Sequence, residues 1–545
     1  MAFDFTAGLI SRWGSLLALV VLLTAGGPTF AMPPAPAGFT TATPSEPLPP
    51  ALDASLRGIQ ASSLQRHIAF LADPRQQGRG LGTRGLETTA KYLAAQLAQM
   101  GLPPLEKSYF QRVPLREIRG LGGEVKLQWP GGPAVTWQHG ATCLLPELEP
   151  QAFGAPVVFA GYGIREEALG HDDFRALDVT GKIVLLVGGL PPGPRWQRPE
   201  LLARYGGVKP QDRYAARVEL LDELGAKAVI ALEADLEVKL ASTKTQAEPF
   251  FRPAAGVVVT DEPPLVRVGS GVAKDVLGAL GIDPARPETL GARPLPGITA
   301  TLTATGQCLP AASRNVIAVL RGADSTLKQE AVVVGAHMDH LGLRGGVLHP
   351  GADDNASGVA ALLEIARGLA ASTVKPKRTV IFAFWTGEED GKFGSGHYVR
   401  HPLWPLARTS VYVNLDMIGH PWTAEELRKL VLEGDPQNGE AYLAQVKPAD
   451  FAEPGYAQWM PELAPLLAQA GRASGMALHL DPGEGVNGGS DYRDFARMRV
   501  PWIRFFGNYF PGYHEPSDTP ENLDPEQVQR MARLAFATVW LLAQR

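Results

Sequence analysis

The chain has 545 residues, of which 45% are hydrophobic and 20% are charged, and its formal net charge is -5. This length predicts two or three domains with cores of ordinary size. The weak negative charge argues against a polyanionic partner such as nucleic acid.

The N-terminus has the features of an export signal. Arg12 precedes an apolar run over residues 16–25, and small residues precede a cleavage position after Ala31. The run is shorter than the roughly 20 residues that span a bilayer. We therefore expect a signal peptide over residues 1–31 and a periplasmic or secreted protein with no stable membrane anchor, with an uncleaved anchor as the alternative. Residues 32–51 are rich in proline and predict a disordered linker.

The next stretch, residues 52–147, begins with a helical pattern that ends at Gly101. Between two of its helices lies the glycine-rich segment 77–83, QGRGLGT. Glycines of this kind are typical of phosphate-binding loops, but no strand precedes them, so we predict a surface loop. From residue 148 to 300, short strands separated by Gly and Pro predict a β-rich insert. Cys143 and Cys308 lie near its edges and could form a disulfide or remain free thiols.

Residues 301–545 alternate between strand and helix patterns. Strands are predicted over 332–334, 379–385, 410–415 and 501–506, and helices over 358–369 and 525–542. This alternation predicts an α/β fold with a mixed, largely parallel sheet flanked by helices. Residues 420–488 show no clear pattern and predict an irregular excursion.

Acidic residues and histidines recur where these strands end. They are His337 and Asp339, Asp353 and Asp354, Glu388 and Glu389, Asp416, and His514. The carboxyl ends of parallel strands meet at one edge of a sheet, so these side chains should converge. Carboxylates so close together repel one another unless a cation lies among them. Ligands of these types, with no Cys, suit zinc, or less often manganese or cobalt, and a bridging carboxylate can hold two ions. Each element alone could equally be a solvated turn or a helix cap.

Six segments carry a resemblance to a known family. They are GAHMDHLG at 335–342, GADDNASG at 351–358, WTGEED at 385–390, NLDMIG at 414–419, GGSDYRDF at 488–495 and YHEPSDT at 513–519. In this order they resemble the signature segments of the M28 family of zinc aminopeptidases. The predicted insert, with GYGI at 161–164, resembles the protease-associated (PA) domain that many such enzymes carry.

The resemblance implies two zinc ions and a role for each ligand. Asp354 would bridge both ions, His337 and Asp416 would complete one site, and Glu389 and His514 would complete the other. It also implies cleavage of the N-terminal peptide bond by a metal-bridged hydroxide, on peptides with a free N-terminus.

Other roles follow from the same resemblance. Glu388 would act as general base, and Asp339 would accept a hydrogen bond that orients the imidazole of His337. The peptide bond between Asp354 and Asn355 would be cis. Tyr513 would either steady the tetrahedral oxyanion or simply pack in the core.

Three alternative functions remain open on sequence grounds. A carboxypeptidase or dipeptidase of the same fold would need a cationic pocket, for which Arg213, Arg217 and Arg252 are candidates. A glutaminyl cyclase reuses the fold with one zinc, and a receptor of this architecture would have lost its ligands. The preferred N-terminal residue and the oligomeric state are not indicated.

Overall fold

The computed structural model describes residues 38–42, 47–207, 210–233, 249–254, 262–283 and 290–545. The predicted signal peptide and residues 256–260 of the predicted β-rich insert, where a strand is also expected, lie outside these ranges. Within them, no helix combines the length and apolar character needed to cross a membrane.

The helices begin at recognisable caps: Thr83 and Asp524, for example, accept hydrogen bonds from first-turn amides of the helices they precede. The described α-helices are α1 Pro50–Gly58, α2 Ala61–Leu71, α3 Arg84–Gln99, α4 Pro199–Tyr205, α5 Pro210–Glu223, α6 Ser270–Ala279, α7 Gly358–Ala371, α8 Phe393–Arg400, α9 Ala424–Gly434, α10 Gly439–Leu443, α11 Leu463–Ser474, α12 Tyr492–Arg497 and α13 Pro525–Gln544.

The strands range from two-residue bridges to two very long elements, β1 and β11. They are β1 Phe110–Gln128, β2 Val135–Gln138, β3 Cys143–Leu144, β4 Gln151–Phe159, β5 Arg165–Glu166, β6 His171–Asp172, β7 Ile183–Val187, β8 Ala228–Leu232, β9 Phe250–Pro253, β10 Leu265–Val268, β11 Arg293–Leu320, β12 Ala331–His337, β13 Gly342–Arg344, β14 Val347–His349, β15 Thr379–Trp385, β16 Thr409–Leu415, β17 Phe451–Ala452, β18 Gly455–Ala457, β19 Ala477–Leu478, β20 Asp481–Gly483 and β21 Trp502–Phe505.

Most strands join one large sheet in the order β20-β18-β21-β16-β12-β15-β11-β4-β7-β8-β10-β3. Strands β15, β12, β16 and β21 are mutually parallel, whereas β11 runs antiparallel to β15. Strands β12 and β15 are buried along their whole length, as expected for strands covered by helices on both faces. The predicted fold class, a mixed and largely parallel sheet flanked by helices, is confirmed.

Two modules share this sheet. We call residues 50–119 and 307–545 the α/β module, and residues 122–305 the β-rich module. The long strands β1 and β11 pair antiparallel through both. The β-rich module has its own hydrophobic core, which includes Val125, Leu127 and Trp137 ahead of residue 148 and Leu302 after residue 300.

Structured elements occupy part of the predicted linker and much of the region predicted to be irregular. Phe39 is buried and its ring lies against His479, Tyr442 and Phe451. The 420–488 region contains helices α9 to α11 and short strands, so the prediction of an irregular excursion was wrong. Short elements separated by prolines leave too little periodicity to read from sequence.

The glycine-rich loop at 77–83 is also not the surface loop that was predicted. Gly78, Arg79 and Gly80 are buried. A side chain at Gly78 is excluded by close approach, because a Cβ there would lie 2.2 Å from the carbonyl oxygen of His349. The loop is therefore packed directly against the segment that leads to Asp354.

Candidate functional site

The parallel strands bring the predicted acids and histidines to one edge of the sheet. Strand β12 ends at His337, which lies opposite Trp385 at the end of β15. Two glutamates follow β15 after a short turn, and Asp416 directly follows β16. We call His337, Asp354, Glu388, Glu389, Asp416 and His514 the acid–histidine cluster.

Asp354 lies at the centre of the acid–histidine cluster. Its Oδ1 lies 3.4 Å from Nε2 of His337, and its Oδ2 lies 3.1 Å from Nε2 of His514. Nε2 of His337 is also 3.2 Å from Asp416 Oδ1, and Nε2 of His514 is 3.2 Å from Glu389 Oε2. Each oxygen of the Asp354 carboxylate thus faces a different histidine–carboxylate pair.

These separations fit metal coordination. Atoms about 2.0–2.1 Å from a tetrahedral zinc ion are about 3.3 Å from one another. Ligand atoms of His337, Asp354 and Glu389 lie within 4.8 Å of one another and could hold a metal ion. The donors are carboxylate and imidazole groups, which suit zinc.

Burial and mutual repulsion perturb the titration of the cluster. Burial and the charge of Glu389 raise the pKa of Asp354 well above its ordinary value. Burial lowers the pKa of His337, but Asp416 and the other carboxylates outweigh this and raise it well above its usual range. The cluster therefore holds excess negative charge that a cation would relieve.

Glu389 is oriented by a histidine that sequence reasoning did not single out. Nδ1 of His340 lies 2.7 Å from Glu389 Oε1, the oxygen that does not face His514. Burial lowers the pKa of His340 to about 4, so its imidazole is neutral. The HxDH spacing of GAHMDHLG was the available signal, because it places a second histidine just beyond the strand end.

Glu388 forms an ion pair with Lys392. Nζ of Lys392 lies 2.9 Å from Glu388 Oε1. Burial raises the pKa of Glu388, while the charges of Lys392 and His337 oppose that rise. A raised pKa allows a carboxylate to accept and return a proton nearer to neutral pH.

Asp339 contacts His337 differently from the expected arrangement. Nδ1 of His337 lies 3.3 Å from the backbone carbonyl oxygen of Asp339. The Asp339 carboxylate instead accepts a hydrogen bond from the amide of Glu389, through Oδ2, at 3.3 Å. Burial raises the pKa of Asp339 to about 7. Asp339 thus contacts His337 through its main chain and the segment of Glu389 through its side chain.

The backbone around Asp354 is held by two further carboxylates. The peptide bond between Asp354 and Asn355 is cis, as the resemblance led us to expect. Asp518 accepts hydrogen bonds from the amides of Asp353 and Asp354 at 2.8 and 3.1 Å. Asp353 in turn accepts a hydrogen bond from the amide of Gly419 at 2.7 Å.

A cavity of about 150 Å³ opens beside Asp416. Aromatic side chains line much of it, among them Phe505, Phe506, Tyr509 and Tyr513. The ring of Tyr513 stacks on that of His514 with a centroid distance of 3.8 Å, and burial raises the pKa of its hydroxyl. Tyr513 therefore both packs against His514 and lines the cavity.

The arginines considered for a carboxylate pocket have partners elsewhere. Arg217 is fully buried and donates to the carbonyl oxygens of Tyr162, Tyr205, Arg213 and Gly189 within the β-rich module.

Arg252 donates to the carbonyl oxygens of Glu147 and Phe251. Arg213 donates to the carbonyl oxygen of Gly207. The observed contacts of all three arginines stabilise the backbone of the chain itself.

Both cysteines lie in the described part of the chain and are unpaired there. Cys143 is buried and Cys308 is exposed. Of the two sequence alternatives, the structure favours free thiols.

Comparison with curated proteins gives partial matches to bacterial aminopeptidases and a related enzyme. The chain is 28% identical to leupeptin-inactivating enzyme 1 of Streptomyces exfoliatus over 255 residues, which cover 45% of this chain and 52% of the relative. It is 31% identical to the probable lipoprotein aminopeptidase LpqL of Mycobacterium tuberculosis over 238 residues, 42% of this chain and 44% of the relative. Aminopeptidase YwaD of Bacillus subtilis is 28% identical over 234 residues, 42% and 44% of the two chains. The matches span about half the length of these relatives.

Solved structures with similar architecture were also found. An aminopeptidase from Aneurinibacillus sp. strain AM-1 superposes with a TM-score of 0.49 at 20% identity, covering 90% of this chain and 96% of that one. BSAP, a zinc aminopeptidase from Bacillus subtilis, gives a TM-score of 0.47 at 21% identity, with coverages of 89% and 96%. Residues 315–539 match the model of peptidase family M28. That segment contains every member of the acid–histidine cluster.

Proposed function

We propose that this protein is an M28-type aminopeptidase that uses two zinc ions to hydrolyse the N-terminal peptide bond of peptides. The single observation that carries the proposal is the position of Asp354, whose two carboxylate oxygens face different histidines at 3.4 and 3.1 Å. A carboxylate placed in this way is suited to bridge two ions. His337 and Asp416 would complete one site, and Glu389 and His514 the other.

Bound zinc would polarise the scissile carbonyl and lower the pKa of the attacking water. The protein's own contribution is proton transfer by Glu388, which accepts the proton from that water and returns it to the leaving nitrogen. Lys392, 2.9 Å from one Glu388 oxygen, fixes the orientation of the carboxylate. Tyr513 lines the cavity beside Asp416 and would donate a hydrogen bond to the developing oxyanion.

The preference for chain ends follows from the charge around the cavity. Asp416 lines the cavity, and Glu388 is electrostatically coupled to Asp416, so a free α-ammonium group would be attracted there. The aromatic walls and the volume of about 150 Å³ suit an apolar first side chain. We therefore propose peptides with an apolar N-terminal residue as substrates.

Export and the PA-like identity of the insert belong to the same proposal. Residues 1–31 would be removed as a signal peptide, leaving an enzyme in the periplasm or medium whose β-rich module is a PA-type insert. N-terminal sequencing of the mature protein should then begin at Met32, and a mature chain that retains residues 1–31 would contradict export by cleavage.

The test is a panel of aminoacyl-p-nitroanilides assayed before and after removal of metal with a chelator. We expect hydrolysis of leucyl and phenylalanyl substrates in preference to aspartyl ones, loss of activity without metal, and recovery on adding zinc. Metal analysis should find two zinc ions per chain.

Blocked substrates separate this activity from its rivals. An N-acetylated peptide should not be cleaved, because its nitrogen carries no charge to attract. Cleavage of the blocked peptide at its C-terminus would instead favour a carboxypeptidase, and a protein with no zinc and no hydrolysis would favour a binding function.

A further inference from the structure

Arg79 is a fully buried cation that the proposed chemistry does not use. It lies in the loop between α2 and α3, and its side chain is completely inaccessible to solvent. Burial lowers the pKa of Arg79 only to about 10, so its guanidinium remains charged at neutral pH. A buried charge is costly unless hydrogen bonds replace its hydration.

Backbone carbonyl groups supply those hydrogen bonds. Nε donates to Met338 O at 3.0 Å, Nη1 to Leu71 O at 2.7 Å and Pro350 O at 2.8 Å, and Nη2 to Gly351 O at 2.6 Å and Asp354 O at 3.3 Å. A guanidinium has five N–H donors in a rigid fork. All five are therefore engaged, and we call this arrangement the Arg79 cage.

The carbonyls of the Arg79 cage belong to the segments that carry metal-ligand candidates. Met338 directly follows His337 in the chain, and its carbonyl oxygen accepts from Arg79. Pro350 and Gly351 precede Asp354, whose carbonyl oxygen also accepts from Arg79. The main chain of the arginine contributes too, because its carbonyl accepts from the amide of His340 at 3.3 Å.

The Arg79 cage reaches these segments without touching a ligand side chain. Its contacts are with main-chain oxygens, so the carboxylate of Asp354 and the imidazole of His337 remain available to an ion.

We propose that Arg79 is a positioning residue, which sets the spacing between the His337 and Asp354 segments and so raises the affinity of the site for metal. This inference rests on the proposed function, because it assumes that these residues bind zinc. Partners that orient metal ligands typically contribute about 10–100-fold in metal affinity.

The test compares Arg79→Lys with Arg217→Lys. Arg217 is also fully buried among backbone carbonyls, but in the β-rich module, so it controls for loss of a buried guanidinium in general. Lysine keeps the charge yet has three donors and no fork. Zinc dissociation constants would be measured by chelator competition, together with the visible absorption of the cobalt-substituted proteins.

For R79K we expect zinc binding weaker by about 10–100-fold and an altered cobalt spectrum. For R217K we expect an unchanged dissociation constant and spectrum. Equal zinc affinity in R79K and wild type would overturn the positioning role while leaving the proposed function intact. Wild-type protein that binds no zinc would instead overturn the proposed function.

A second measurement keeps the inference testable if R79K does not fold. In metal-stripped wild-type protein, hydrogen exchange should remain slow at the amides of His340 and Asp354, which donate to Arg79 O and Asp518 Oδ2, because the Arg79 cage holds both segments in place without the ions. Fast exchange at these amides, with slow exchange retained in strand β12, would overturn the inference.

Discussion

Two buried arginines satisfy the same physical requirement in different parts of the molecule. Arg79 and Arg217 are both inaccessible, and both donate to backbone carbonyls. The carbonyls around Arg217 lie within the β-rich module, whereas those around Arg79 belong to the end of α2 and to the two segments flanking His337 and Asp354. A similar cage thus holds the backbone of the β-rich module in one place and, in our proposal, positions the metal-binding segments in the other.

Arg79 and Arg217 together show that burial and hydrogen bonding alone do not identify a functional residue. What distinguishes Arg79 is the position of its acceptors relative to side chains that converge on one point. The following predictions separate the chemistry of the site from the stability of the modules.

The largest effect is expected for Glu388→Gln. Glutamine keeps the shape of the side chain but cannot accept the proton, so kcat should fall by about 10²–10⁴-fold. Zinc affinity should remain unchanged, in contrast to R79K. Steady-state kinetics and metal analysis would measure the two effects separately.

The adjacent residue gives a matched control. Glu389→Gln alters a carboxylate that faces His514 at 3.2 Å, so we expect lost zinc occupancy as well as lost activity. Full activity in E388Q, or unchanged zinc content in E389Q, would contradict the roles assigned to these neighbours.

The next effect concerns stability rather than activity. Arg217→Lys should lower the free energy of unfolding by about 2–4 kcal/mol, because each buried carbonyl left unpaired costs about 1–3 kcal/mol. Denaturant unfolding of the metal-loaded protein would measure this change, and kcat of the folded fraction should match that of wild type. A changed kcat in R217K would show that the β-rich module acts on the site.

A smaller, pH-dependent effect is expected for Glu364→Gln. Burial raises the pKa of Glu364, but hydrogen bonds from His67, Arg367 and Ser63 outweigh it and hold the pKa at about 2. Because the pKa of Glu364 in the folded protein lies below its ordinary value of 4.5, the stabilisation is fully present above pH 4.5 and is lost as the pH falls toward 2.

The wild-type protein should therefore be more stable than E364Q near neutral pH, and this difference should shrink between pH 4.5 and 2. The acceptors around Arg79 and Arg217 are carbonyl groups, which do not titrate. The difference in stability between wild type and R217K should therefore stay constant between pH 4.5 and 2. Denaturant unfolding at several pH values would measure both variants, and a constant difference for E364Q would contradict the assignment.

The smallest effect is the response to thiol reagents. Burial raises the pKa of Cys143 to about 12, whereas Cys308 is exposed. Under native conditions one thiol per chain should react, with little change in stability on adding a reductant. Two thiols reacting at equal rates would show that the β-rich module opens readily.

Sequence patterns predicted the α/β architecture and the convergence at the sheet edge, because both follow from periodicity and from residues at strand ends. Strand 379–385 was placed at its observed bounds, and helix 358–369 was extended by two residues to Ala371. His337 and Asp354 could be predicted because a parallel sheet fixes where strand ends meet.

Arg79, His340 and Asp518 were not predicted, because their roles depend on contacts between segments distant in sequence. Arg79 binds main-chain carbonyls, which leave no trace in residue identity. Its one signal was the flanking pair Gly78 and Gly80. The segment was predicted to be a surface loop because no strand precedes it, whereas these glycines permit close packing.

The long pair of strands β1 and β11 has a consequence for the architecture of the chain. Arg119 lies opposite Gln307, and Gly122 lies opposite Thr305. The chain therefore enters the β-rich module from β1 and leaves it through β11 at neighbouring residue pairs of the same antiparallel ladder. Topologically, the whole module is the enlarged loop of a β-hairpin. The chain therefore accommodates a large unit at that point without interrupting β12, β15 or β16, the strands that end at the acid–histidine cluster.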